Sequence, residues 1–254
     1  MKTILIIFFI ITLYTAKVFS FTTPFFHNKG SVFALEKRGS VKDEEFFAHQ
    51  RKRMVKEQLV SRGIKDKRVL EAMETVPRHL FIPEERRSLS YSDQPVPIGF
   101  GQTISQPYIV AYMTELLTLD KDNTVLEIGT GSGYQAAILS ELVKEIYTIE
   151  VVEKLGRETM EKLESMGYTN VNVKIGDGYK GWPEHAPFDR IIVTAAAKYI
   201  PQPLIDQLKP GGRMIIPVGG VYEIQDLMLI TKDASSNITK KSLAPVSFVP
   251  LIRK

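Results

Sequence analysis

One run of ten residues constrains this chain more than any other: Thr124-Val125-Leu126-Glu127-Ile128-Gly129-Thr130-Gly131-Ser132-Gly133. The apolar stretch from Val125 to Ile128 predicts a buried strand, and Tyr134 to Val143 predicts a helix, with the glycines between them. Strand, glycine turn and helix is a geometry that lets backbone N–H groups approach a nucleotide-like ligand. A second apolar run, Ile146-Tyr147-Thr148-Ile149, ends on Glu150, 21 residues after Gly129. A carboxylate at that place can take both hydroxyls of a ribose.

The glycine spacing separates two cofactor classes. Dinucleotide sites use G-x-G-x-x-G, which leaves room for a pyrophosphate at the helix end. Here the pattern is E-x-G-x-G-x-G, with Glu127 just before the turn. An acid there repels a pyrophosphate and suits a cation. S-adenosylmethionine carries an ammonium, a sulfonium and a ribose for Glu150. Glu127, Gly129, Thr130, Gly131, Ser132, Gly133 and Glu150 are therefore read as its candidate contacts. The competing reading is an ordinary glycine turn in an α/β protein.

The chain has no cysteine, which removes disulfides, cysteine nucleophiles and thiolate metal sites. His27, His49, His79 and His185 are scattered without ligand spacing, so no metal is expected. Residues 36–71 hold eleven basic and seven acidic side chains, but neither aromatic interleaving nor a nucleic-acid motif accompanies them. A solvated helical face is the reading, with no nucleic-acid partner and a monomer expected. The apolar stretch from Thr3 to Tyr14 behind Met1-Lys2, with Val18-Phe19-Ser20 after it, resembles a secretory signal and is short for a membrane span.

The chain divides into the signal-like segment 1–20, a linker 21–43 and a catalytic domain 44–254, itself split into 44–104 and 105–254. Helices are expected over Asp43 to Val60, stopped by Gly63, and from an Asp66 cap through Thr75. Residues 83–104 read as a long loop. Ser105-Gln106-Pro107 opens a helix running from Tyr108 to Leu119. After the glycine motif, strands near 146–150, 171–175, 188–194 and 212–218 alternate with helices near 152–166 and 201–208, which means a doubly wound, mostly parallel sheet. Leu227 to Thr231 and Pro245 to Leu251, with no helix between them, suggest an antiparallel finish. Beyond the strands' carboxyl ends, where ligands lie in such sheets, stand Glu150, Asp177, which could accept from an adenine amino group, and Thr194. Lys209-Pro210-Gly211-Gly212 reads as a turn. For each acid the competing reading is a surface group or a helix cap.

Together these blocks resemble the protein-L-isoaspartate O-methyltransferases, especially the bacterial branch. The run from Gly101 to Ala111, GQTISQPYIVA, is similar to that family's signature and is the part other methyltransferases lack. Val125 to Ala137, Gly176-Asp177-Gly178 through Asp189, Leu208 to Gly219 and Phe248 to Leu251 are similar to its further blocks, and the resemblance covers about residues 50 to 252. It implies a Rossmann-like S-adenosylmethionine-dependent methyltransferase fold with an N-terminal helical appendage. It also implies repair of aged proteins, by methylation of the α-carboxylate of L-isoaspartyl residues and closure of the ester to a succinimide; the competing readings are a methyltransferase with the same cofactor acting on a small molecule and a non-catalytic cofactor-binding envelope protein. By resemblance Ser105 lies in the active-site loop, Thr103 and Ile104 help form the pocket, Gly178 joins the cofactor site, and Val249, Pro250 and Leu251 flank the substrate.

That chemistry needs no general base, because a carboxylate is already ionised at neutral pH. The enzyme must align and dehydrate it, which a hydroxyl such as that of Ser105 can do. The competing reading makes Ser105 only the N-cap of its helix. A cytoplasmic location is expected from the cofactor and the family, against export to the periplasm from the signal-like start.

Overall fold

The structure is a computed structural model that describes residues 43–220 and 223–253. The signal-like segment lies outside the described residues, as does the linker up to residue 42. Helix α1 (43–54) continues through a wide turn at Val55–Leu59 and a tight one at Val60–Arg62, and stops at Gly63, whose φ of +93° suits glycine. Met54, Val55 and Leu59 are buried on one side, as the apolar spacing predicts. In α2 (Lys67–Thr75) the Asp66 carboxylate accepts from the amides of Arg68 and Val69, the expected cap.

Residues 83–104 are not one loop. A tight helical turn at Glu84–Leu89 leads into an antiparallel hairpin of β1 (Val96–Gly99) and β2 (Gln102–Ile104). Val96, Ile98 and Ile104 are buried, and this sparse apolar set is enough to fold the segment back on itself. Next comes α3 (Pro107–Leu116), with Gln106, not Ser105, at the N-cap position. Proline is favoured at the first helical position, and that makes its predecessor the cap. The helix ends before Leu119, because Thr118 turns to a φ of +48°. Three arginines hold that end. Arg190 donates to the carbonyls of Leu117 and Thr118, Arg213 to Leu116 and Arg68 to Leu119.

The remaining elements are β3 (Thr124–Ile128), α4 (Tyr134–Ser140), β4 (Glu145–Glu150), α5 (Glu153–Ser165), β5 (Val171–Ile175), β6 (Phe188–Val193), α6 (Gln202–Asp206), β7 (Leu208–Val218), β8 (Gln225–Lys232) and β9 (Ile238–Val246). One seven-stranded sheet has the order β5-β4-β3-β6-β7-β8-β9, parallel as far as β7 and antiparallel beyond it. The predicted α/β class holds, with three corrections. Helix α4 ends at Ser140, short of Val143. Lys209 to Gly212 lies inside β7, where the pairing with β6 shifts register. The last strand is β9 and not Pro245 to Leu251. Lys240 and Lys241 on this exposed edge mask any apolar alternation.

Each face of the sheet carries its own core. Val125, Ile146, Ile192 and Ile215 pack with residues of α1 to α5, while Leu126, Ile128, Ile191, Val193 and Met214 pack with Leu204 and Ile205 of α6. A strand covered on both faces must be apolar at consecutive positions, which explains the run that marks β3. The chain leaves β3 toward β4 and β5, then returns to β6 on the other side. Between β3 and β6 the winding reverses, and a crevice opens at the carboxyl ends.

Candidate active site

The glycine turn stands at that reversal. The amide of Gly129 donates to the Ile149 carbonyl at 2.9 Å, and the amide of Thr194, just past β6, donates to the Ile128 carbonyl at 2.9 Å. Gly129 has a φ of +99°, and a Cβ there would stand 2.5 Å from Thr194 Oγ1, so only glycine fits. Gly178 forms part of the floor, and a Cβ on it would meet Ile128 Cγ2 at 2.3 Å. Glu150 ends β4 and is 4% exposed. Its carboxylate accepts from the amides of Gly131 at 2.8 Å and Val152 at 3.0 Å, so the acid is fixed against the turn with lone pairs to spare.

Glu150, Gly129, Gly131, Gly178, Thr194, Thr103, Val249, Pro250 and Leu251 line one cleft, together with Gln102, Ile149 and Val151. Ile104, Ser105, Thr130 and Ser132 line an adjoining recess. A second recess is lined by Thr103, Ser105, Ile109, Thr194, Phe248 and Val249. Thr103 and Thr194 belong to the cleft and to both recesses. The C-terminal wall is tied down by Ala196, whose amide donates to Val249 and whose carbonyl accepts from Leu251, both at 2.8 Å. The Phe248 amide donates to Gln225 Oε1 at 2.8 Å.

Three predicted residues lie off the cleft wall. Asp177 caps the turn at Gly178–Lys180 through the Tyr179 amide, 2.9 Å away, and faces a hollow with Lys174 and Lys180. Gly133 is buried at the start of α4. Glu127 is fully buried within the sheet, and neither oxygen has a hydrogen-bond partner among the described residues. Burial pushes its carboxyl up to about 8, against the pull of the nearby Thr148 hydroxyl and with the charge of Glu150 adding to the rise. That hydroxyl pairs instead with Thr130 Oγ1 at 2.7 Å.

Ser105 is no helix cap. Its hydroxyl makes no hydrogen bond to a described residue, while its carbonyl accepts from Arg78 Nη2 at 2.7 Å. Gln102, Val151 and Phe248 are site residues that sequence reasoning missed; the first two sit beside predicted ones, and Phe248 lies in a block quoted only as a resemblance.

A carboxylate at the end of β4, a close-approach glycine turn at the sheet's reversal and an adjoining recess define an S-adenosylmethionine-dependent methyltransferase. The glycine cradle and the spare acceptors of Glu150 fit an adenosyl group, and the unpartnered Glu127 beneath the turn fits a cation above it. Residues 49–254 match the protein-L-isoaspartate (D-aspartate) O-methyltransferase family model, and the chain belongs to that family. It is 59% identical over 186 residues to protein-L-isoaspartate O-methyltransferase 2 of Syntrophobacter fumaroxidans, covering 73% of this chain and 75% of that one. It is 55% identical to the Opitutus terrae protein-L-isoaspartate O-methyltransferase, covering 81% and 88%. Among solved structures it is similar to a Plasmodium falciparum protein described as a protein-L-isoaspartate O-methyltransferase in complex with S-adenosyl-L-homocysteine. That match has a TM-score of 0.69 and 29% identity, over 80% of this chain and 99% of that one.

Proposed function

We propose that the protein repairs damaged proteins by methylating the α-carboxylate of their L-isoaspartyl residues. The observation that carries this reading is the lining of the recess beside Ser105. No ionisable side chain is among the described residues there, while an unpaired hydroxyl is. A hydroxyl or amine acceptor would need a base to remove its proton; a carboxylate does not. When bound, S-adenosylmethionine supplies the methyl group on a sulfonium centre. The residues of this chain do the rest. Glu150 receives the ribose hydroxyls. Thr103 and Thr194 stand where cleft and recess meet. The Ser105 hydroxyl donates to one carboxylate oxygen and aims the other, and Ile109, Phe248 and Val249 exclude water that would stabilise the resting anion. Glu127 below the turn and Asp177 beside Gly178 complete the cofactor site, the first as a buried carboxyl that a bound cation would draw toward its ionised form and the second by shaping the backbone.

Paired peptides that differ only in aspartyl linkage test the reading. With labelled cofactor, label should enter the isoaspartyl peptide alone, and equal labelling of both would contradict it. No helix among the described residues is long and apolar enough to cross a membrane. We place the enzyme in the cytoplasm, where its cofactor is made. Fractionation with N-terminal sequencing checks this, and a periplasmic chain starting at Phe21 would reverse it.

A further inference from the structure

Arg78 is fully buried, has no acidic partner within ion-pair distance among the described residues, and touches the reactive loop from behind. Its Nε donates to the Ser90 carbonyl at 2.8 Å and its Nη2 to the Ser105 carbonyl at 2.7 Å. The guanidinium carbon lies 4.9 Å from the centre of the Tyr134 ring, and Nη1 has no hydrogen-bond partner among the described residues. Burial lowers its pKa to about 10, so the group stays charged at neutral pH. A buried cation without a counter-ion is costly, and apolar replacements of equal volume are often at least as stable. Stability alone is therefore a poor reason for an arginine here.

The fork geometry supplies a better one. A guanidinium can hold two carbonyls at a fixed spacing, which an ammonium on a flexible stem cannot. The next residue, Gln106, is held from the other side, with Nε2 donating to Asp93 Oδ1 at 2.7 Å. Ser105 is thus gripped through its own carbonyl and through its neighbour's side chain, which leaves its hydroxyl free and pointed by the backbone. We propose that Arg78 is a positioning residue for methyl transfer. It fixes the Ser105 peptide so that the hydroxyl meets the incoming carboxylate, and it places an unneutralised positive charge behind a loop that receives an anion. This rests on the function proposed above, which the turnover of the unmodified enzyme on isoaspartyl peptide tests separately.

The test is a double-mutant cycle of Arg78→Lys and Ser105→Ala on the full chain, with S-adenosylhomocysteine affinity measured alongside turnover. Arg78→Lys should lower kcat by about 30-fold or more and leave cofactor affinity within about twofold, because the lost contact acts at the reacting centre. In the Ser105→Ala background the same change should cost less than about threefold, since residues acting through one another are not additive. Arg78→Gln, which keeps donors on a neutral group, serves where the lysine variant fails to fold. Its turnover is taken per cofactor-binding site, and it should show the same non-additivity. Unchanged turnover, an equal loss in both backgrounds, or a parallel loss of cofactor affinity would each overturn the assignment.

Discussion

Thr194 Oγ1 lies 2.7 Å from the Gly129 carbonyl and fills the space that any side chain on Gly129 would need. Two strands that diverge in the winding are thereby locked together at the point where the cofactor approaches. Gly129→Ala should cost about 1–3 kcal/mol in stability through backbone strain alone and lower S-adenosylhomocysteine affinity by about tenfold or more, or roughly 1.4 kcal/mol. Adding Thr194→Ala removes the collision but leaves the φ of +99°, so it should restore part of the stability and not all of it. Calorimetry on the three variants decides; full recovery in the double variant would show that the φ carries no strain.

Ser105→Ala should leave stability within about 0.5 kcal/mol of the parent, as a surface change away from any cap does, while turnover falls. The N-cap position belongs to Gln106, which makes no side-chain cap bond, so no cap is lost. Ser105→Asp should fold and bind cofactor yet lose turnover, because its charge faces the incoming carboxylate. A stable aspartate variant with normal turnover is the result that refutes the role of the hydroxyl.

Glu150→Ala removes an acceptor shared by two backbone amides as well as the predicted ribose contact. Cofactor binding should weaken by at least roughly 1–3 kcal/mol, because a buried charge-assisted hydrogen bond to the ribose is lost. Glu150→Gln keeps one acceptor and should lose less. An unchanged dissociation constant in the alanine variant would remove Glu150 from the site.

Glu127 makes stability depend on pH in a stated direction. In the unfolded chain its carboxyl ionises near the ordinary glutamate value of 4.5, and in the folded chain burial holds it protonated to about 8. Between those values the folded state keeps a proton that the unfolded state has lost, so rising pH favours unfolding until about 8. Glu127→Gln abolishes that slope. From pH 5 to pH 8 the stability difference should move in the variant's favour by on the order of 1–4 kcal/mol. Urea titrations at several pH values test this, and parallel curves for parent and variant would rule it out.

The β3–turn–α4 unit, Glu150 at the end of β4 and the Asp66 cap were all legible in the sequence, because each is written in residues close along the chain. The antiparallel finish was legible only as a missing helix. What escaped depends on distant partners. The hairpin of β1 and β2 carries too few apolar residues to show a period. Asp177 turns toward the Tyr179 amide because the tight turn that follows it needs an acceptor, which is the cap reading that stood beside the adenine contact and that the motif alone does not separate from it. Arg78 gives no sign in the sequence of being interior, since arginine is rarely fully buried. The N-cap position of Gln106 is readable from Pro107, since proline favours the first helical position and its predecessor is then the cap.

The pairing of Ala196 with residues 249 and 251 sets a timetable for the growing chain. Synthesis delivers the glycine turn and β6 well before the segment that forms their opposite wall, and folding during translation proceeds from the N-terminal side. A partly made chain holds the strands of the parallel half of the sheet, yet its crevice lacks the wall that residues 249–251 supply. The cleft that Glu150 and the glycine turn share with residues 249–251 is therefore completed last, by the end of the chain.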